Sequence, residues 1–195
     1  MCGRYFFVNK TACEVEKDFK LSHGAIKTDS GDITPGMTAQ GLICNREDRR
    51  KIAVADLFWG IRTKDKKLII NARAEAITES TMFSDSISNR RCILPSTGFY
   101  EWDKNKTKFV FKREDEKPLY LAGFYDLSEN RDSFVILTTA ANASMEPVHD
   151  RMPVIIDKRN IEDYLQNSSA AMEIINAPMP MLSRNSDYEQ LSLFG

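Results

Sequence analysis

Position 2 of this chain is a cysteine, and its place gives it a chemistry that internal cysteines lack. Removal of Met1, favoured when the second residue is small, would leave an N-terminal cysteine with amine and thiol on adjacent carbons. The amine of such a residue condenses with an aldehyde to an imine. The thiol then adds to the imine and closes a five-membered thiazolidine. Reference pKa values of about 8 for an α-amine and about 8.5 for a thiol put the neutral amine within reach near pH 7. Position alone also allows a plain strand-forming terminus in which Cys2 is simply the second residue.

Three further segments hold residues of the type that would serve such chemistry. His149 lies in PVHDRMPVI, where a loop meets a strand. On an extended segment His149 and Arg151 face the same side and Asp150 points away, which suits proton transfer on a polyanion; the competing reading is a surface histidine in a turn. Glu101 lies in TGFYEWD, flanked by aromatics. Desolvation there would raise its pKa and make it a general acid or base; the competing reading is a solvent-facing Glu on an edge strand. Asn71 and Arg73 lie in LIINARAE, near a strand end and two residues apart. Asn can orient an amine or a carbonyl without adding charge, and Arg is the natural partner of a phosphate. The rival is a helix-capping Asn71 with Glu75 in the following turn. Cations and aromatics also interleave, as in Arg4 with Tyr5, Trp59 with Arg62, Lys64, Lys66 and Lys67, and Trp102 with Lys104. Single-stranded nucleic acid is bound by that mixture, although most such lysines are solvated and most strand aromatics are core.

The elements that must position these residues are mostly short strands. Candidates rich in Val, Ile, Phe and Tyr are 3–8, 38–44, 51–59, 68–71, 92–94, 97–102, 108–113, 119–125, 133–139 and 153–156. Residues 97–113 read as a hairpin with DKNKTK as its loop. Thr11 and Glu14 form a potential capping box opening a helix with Ala12, Val15 and Phe19 on one face, and His23-Gly24 reads as its end. Helices are also expected at 158–166 and 169–176, with short ones near 79–88 and 143–147. The expected fold is α+β, a single domain over 1–195 with a curled, mostly antiparallel, barrel-like sheet and peripheral helices.

Composition narrows the classes of function. With a net charge of -1, the chain lacks the whole-surface basic field usual for nucleic-acid binders, so any such binding needs a local basic cleft. The four cysteines, at 2, 13, 44 and 92, form no C-x-x-C pair, which argues against structural zinc or a disulfide scaffold and for reduced thiols. No apolar run approaches a membrane span and the N-terminus lacks a signal-peptide core. A cytoplasmic protein beside the chromosome, monomeric, with no cofactor, metal or membrane partner, is the expectation.

Six pieces in order resemble one family, the SOS response-associated peptidase (SRAP) domain: MCGRY, the Pro35-Gly36 of ITPGM, FWG at 58–60, INARAE at 70–75, GFYEW at 98–102 and HDRMPVI at 149–155. The resemblance spans roughly residues 2 to 157. It implies a curled β-sheet core with a positively charged cleft leading to the N-terminal cysteine, single-stranded DNA as partner, and covalent capture of abasic sites as a thiazolidine. It implies functional roles for Cys2, Asn71, Glu101 and His149. It places Arg4, Arg73 and Arg151 along the DNA cleft, Trp59 and Trp102 beside the lesion, and Pro35 among the DNA-binding positions. The word peptidase in the family name implies removal of residues ahead of the cysteine.

Two departures stand out. The family's N-x-x-P-G pattern has Asp32 where Asn is usual, adding a carboxylate near the cleft. After FWG the family's Pro-x-Trp segment is replaced by IRTKDKKLII, shorter and lysine-rich. Other classes use the same residues. An N-terminal-nucleophile hydrolase would use the Cys2 amine as base for its own thiol, and a cysteine protease would use Cys2, His149 and Glu101. A non-catalytic single-stranded DNA-binding module would need none of them.

Overall fold

The computed structural model describes residues 2–27, 31–128 and 131–186. In chain order the strands are β1 (Tyr5–Phe7), β2 (Gly31–Ile33), β3 (Thr38–Cys44), β4 (Ile52–Trp59), β5 (Ile61–Arg62), β6 (Leu68–Ile69), β7 (Asn71–Arg73), β8 (Arg91–Ser96), β9 (Gly98–Trp102), β10 (Lys108–Lys112), β11 (Leu119–Ser128), β12 (Arg131–Ala140), β13 (Arg151–Pro153) and β14 (Ser183–Ser186). The α-helices are α1 (Asn9–Asp18), α2 (Ser84–Asn89), α3 (Ile161–Gln166) and α4 (Ser168–Ile175).

Five strands close a barrel-like ring in the order β11-β8-β3-β4-β12, and β12 returns to pair with β11. Its neighbours are antiparallel except β4 and β12, which run parallel through Ser133↔Phe58 and Phe134↔Trp59. These strands are apolar on both faces, as sheets covered on both sides must be. One parity, including Ile43, Leu57, Trp59, Cys92, Leu94, Phe134 and Ile136, forms a cluster with Tyr5, Phe99 and Phe111 of a second sheet. The other parity, including Leu42, Ile93, Phe124, Val135 and Leu137, packs with α1, α3 and α4. The second sheet has the order β14-β10-β9-β1-β2 and is antiparallel throughout. The fold is α+β, with a closed barrel-like core and peripheral helices, as the strand pattern suggests.

Several local expectations are corrected. The first helix begins at Asn9, not at a Thr11 cap; the Thr11 hydroxyl instead lies 2.7 Å from that of Thr97. It ends at Asp18, with Lys20 in the left-handed region, so His23-Gly24 forms a separate turn, tied back where the buried Glu16 carboxylate accepts the Ile26 N–H. Residues 143–147 make successive turns, with the Asn142 carbonyl accepting from both Met145 and Glu146. The last expected strand is shifted to Arg151–Pro153. Strands β2, β5 and β14 escaped the sequence reading, because polar or two-residue strands owe their conformation to the strand beside them. Among the described residues no helix is long and apolar enough to cross a membrane.

Gly123 marks the tightest point of the closure. It pairs with Cys92 on one side and Ile136 on the other, and a Cβ there would lie 2.5 Å from the Val135 carbonyl oxygen. Gly123→Ala should therefore destabilise the fold by about 1–3 kcal/mol, read as a lower urea midpoint. An unchanged midpoint would show that the ring tolerates spreading at this point.

Candidate functional site

The terminus reaches its place through β1. Tyr5 pairs with Phe99 and Phe6 with Gly98, while the Tyr100 N–H donates to the Arg4 carbonyl at 2.9 Å. Continuing that register sets Gly3 opposite Glu101, and the Glu101 charge acts on the Cys2 thiol. Strand alternation points Glu101 to the same inner face as Phe99 and leaves it only 6 % exposed. Cys2 is 1 % exposed.

Asn71 approaches from the other sheet. Strand β7 lies parallel to β12 through Ile136↔Asn71 and Thr138↔Arg73, and the Trp59 indole N–H donates to the carbonyl of Ile70 at 3.0 Å. From there the Asn71 Nδ2 donates to the Cys2 carbonyl at 3.0 Å. Its Oδ1 is buried with no hydrogen-bond partner among the described residues. The helix-cap reading of Asn71 is thereby replaced, since Arg73 is the residue that precedes the short turn Ala74–Ala76. Burial first, and then the Glu101 charge, push the Cys2 thiol up to about 12, against a backbone hydrogen bond from Arg4. The thiol is thus held protonated, with a carboxylate at hand to receive its proton.

His149 joins the same rim through β12, where Thr138 pairs with both Arg73 and Pro153. It does not lie on an extended segment. The chain turns there, the Arg151 N–H donates to Nδ1 at 3.0 Å, and the Asp150 carboxylate stands 2.9 Å from that nitrogen instead of pointing away.

The arginines around this rim differ in availability. Arg151 forms a two-pronged pair with Glu75, at 2.9 and 2.8 Å, and also donates to the Thr138 carbonyl. That guanidinium, through its hydrogen bonds, holds the Glu75 carboxyl down at about 2. Arg4 lies 3.2 Å from Asp32, the residue that departs from the family pattern. Arg73 is exposed at the end of β7. Sequence reading missed Glu75 as a partner of Arg151, and no local signal joins residues 76 apart.

The aromatics divide in a way their types did not reveal. Trp59 is fully buried, its ring stacked on Phe134 at 5.7 Å and tilted against Tyr5 at 5.3 Å, so it offers no face to a base and supports the site from below. Tyr5, also fully buried, is core and not a platform; burial and then the Cys2 and Cys92 thiols raise its hydroxyl well above the usual range. Trp102 is 37 % exposed, but strand alternation turns it, with Tyr100, to the sheet face opposite Glu101. Pro35 and Gly36 form the middle of a turn closed by Met37 N–H to the Thr34 carbonyl, with Gly36 at φ 90° as a type II turn requires. That turn is bonded to both backbone groups of Trp59. The lysine-rich replacement segment forms the small β5–β6 ribbon, with Lys64, Lys66 and Lys67 exposed at or beside its turn. No group of three or more metal-ligating side chains gathers among the described residues.

Comparison with known proteins places this arrangement in context. Residues 1–191 match the family described as SOS response associated peptidase (SRAP). The chain is 30% identical over 183 residues to the abasic site processing protein YoqW of Bacillus subtilis, covering 85% of this chain and 80% of that one. It is 25% identical over 189 residues to the abasic site processing protein YedK of Escherichia coli, covering 89% and 83%. A solved crystal structure of a phage-related protein from Bordetella bronchiseptica superposes with a TM-score of 0.79 at 23% identity over 95% of this chain and 93% of that one, a likeness of fold.

The raised Cys2 thiol gives a direct chemical readout. Alkylation of Cys2 by iodoacetamide, followed by peptide mass mapping, should stay far slower at about pH 9 than that of an unstructured cysteine peptide. Urea should restore the peptide rate. A peptide-like rate in the folded protein would mean the thiol is neither buried nor held protonated.

Proposed function

The chain belongs to the SOS response associated peptidase family, and from that premise we propose that it processes abasic sites in single-stranded DNA by capturing them covalently on Cys2. Relatives named as abasic site processing proteins support the lesion class. The observation that carries the reading is the junction of three residues: a buried Cys2, tethered through its carbonyl by Asn71, with the Glu101 charge beside its thiol.

With Met1 removed, the Cys2 amine is the first nucleophile. Asn71 Oδ1, a buried acceptor, is suited to orient it. An abasic sugar is mostly a closed hemiacetal. Glu101 takes the anomeric hydroxyl proton as the ring C–O bond breaks, and the His149 imidazolium gives a proton to the departing ring oxygen, to be restored at the end by the proton that Glu101 then holds. The amine adds to the aldehyde carbon, and Glu101 returns its proton as water leaves and an iminium forms. The sulfur then adds to the iminium carbon, the C=N electron pair returns to nitrogen, and the thiol proton passes to Glu101. The thiazolidine is complete. A cysteine-protease reading needs a ready thiolate, whereas burial and Glu101 both hold this thiol protonated. Arginines of the rim, Arg4, Arg73 and Arg151, hold backbone phosphates without reading sequence.

The test is intact-protein mass spectrometry after incubation with an abasic single-stranded oligonucleotide. The processed protein should gain the oligonucleotide mass less one water. Cys2→Ala should gain nothing, and Glu101→Gln should react about 10²-fold more slowly. Equal adduct formation by Cys2→Ala would overturn the reading.

Asp32 is expected to restrain binding, because a phosphate must compete with it for Arg4. Asp32→Asn should tighten binding to undamaged single-stranded DNA by about 2–5-fold at low salt, measured by fluorescence anisotropy, with the gain shrinking as salt rises. Unchanged or weaker binding would show that Arg4 does not meet the DNA.

A further inference from the structure

The barrel has a second mouth, at the ends of its strands remote from Cys2. Strand β3 runs from Thr38, opposite Phe58 and next to Trp59, to Cys44. At ~3.3 Å per residue the two ends lie about 20 Å apart. Around Cys44 is a cavity of about 310 Å³ whose lining includes Arg46, Arg49, Arg90, Arg91 and Tyr125. No carboxylate lines it among the described residues.

Arg91 supplies a fixed charge. It is 3 % exposed, and its guanidinium donates to the carbonyls of Ile87, Ser88, Tyr164 and Leu165 and to the Ser168 hydroxyl. Every one of these acceptors is neutral, so the site is built from uncharged groups around a full positive charge, a costly arrangement without an anion nearby. Arg49 is exposed and enters no ion pair among the described residues. Arg46 pairs with Asp132, and Arg90 with Asp85 and Asp126, but those carboxylates lie outside the lining. The turn that presents Arg46 and Arg49 is braced by the Asn45 side chain, which accepts from the Glu47 and Asp48 N–H groups. Burial raises the half-buried Cys44 thiol above its usual range, and Arg49 and Arg91 oppose that rise, a local sign of positive potential in the cavity.

We propose that this arginine-lined cavity is a second site that binds a phosphate group, separate from the Cys2 site. Planar guanidinium forks match phosphate oxygens in paired hydrogen bonds. Arg49 is the free ligand, Arg46 and Arg90 are recruited from their carboxylates, and Arg91 supplies the background charge. The phosphate comes either from a free polyphosphate or from the backbone of nucleic acid carried past the far mouth of the barrel.

Cys44 provides a reporter inside the cavity. The full-length protein is treated with iodoacetamide in pyrophosphate, in an undamaged single-stranded oligonucleotide, or in potassium chloride of matched ionic strength, and Cys44 modification is mapped by mass spectrometry. Pyrophosphate should slow the modification several-fold more than chloride does, and Arg49→Glu and Arg90→Gln should each abolish the difference. Protection by the oligonucleotide alone, lost in the same variants, assigns the phosphate to a nucleic-acid backbone. Protection equal to that of chloride, or unaffected by both variants, overturns the proposal. Arg49 is exposed whereas the Arg90 side chain is only 18 % exposed, and retention of the thermal midpoint in each variant separates lost binding from lost folding.

Discussion

The site depends on how the first residues of the chain are held against the barrel, and the hydrogen bond from Asn71 to the Cys2 carbonyl is the link on which the rest turns. A single such bond contributes only about 1 kcal/mol net. Its force comes from its setting. Asn71 sits on a strand fixed to β12, the strand that closes the ring, and Trp59 bonds the residue just before it. Cys2 is fixed from the other side by the pairing of β1 with β9, the same strand that carries Glu101. Two sheets therefore converge on one residue. A shift of β9 by one position would turn Glu101 outward and leave Cys2 without its carboxylate neighbour.

Charge at the rim follows a restrained design. Two of the three arginines that the family resemblance places along the cleft already face carboxylates, Arg4 at Asp32 and Arg151 at Glu75. The pairs keep the guanidinia ordered, and they set a competition that any phosphate must win. With a net charge of only -1 for the whole chain, attraction for a polyanion has to come from such local exchanges. Arg73 and the exposed lysines of the β5–β6 turn carry no such restraint from an ion pair among the described residues.

Much of this was legible in the chain itself, and the misses have physical causes. The strand at 38–44 emerged with its ends intact and that at 51–59 within one residue, because both pack apolar residues on two faces and read as β-prone runs. Residues GDI at 31–33 and SRNS at 183–186 carry no such pattern; each is a strand because an edge of the second sheet accepts it. Asn71 is joined to Cys2 by a hydrogen bond, and the Glu101 charge acts on the Cys2 thiol. What joins them does not show locally, since Asn71 and Cys2 stand 69 residues apart in sequence. The errors at Trp59 and His149 share a source. An aromatic in a strand looks alike whether it faces solvent or a packed ring, and a histidine before a strand looks alike whether the chain is extended or turned.

Two bonds to one carbon distinguish this chemistry from every alternative that uses only the thiol or only an amine. The most direct measurement is carbon-13 NMR of the adduct formed with an oligonucleotide labelled at the abasic C1′ position. Capture by the N-terminal aminothiol predicts a single saturated carbon bonded to both nitrogen and sulfur, correlated with the β-protons of Cys2. An unsaturated imine carbon, a carbon bonded to oxygen and sulfur, or a correlation to a lysine side chain would contradict it.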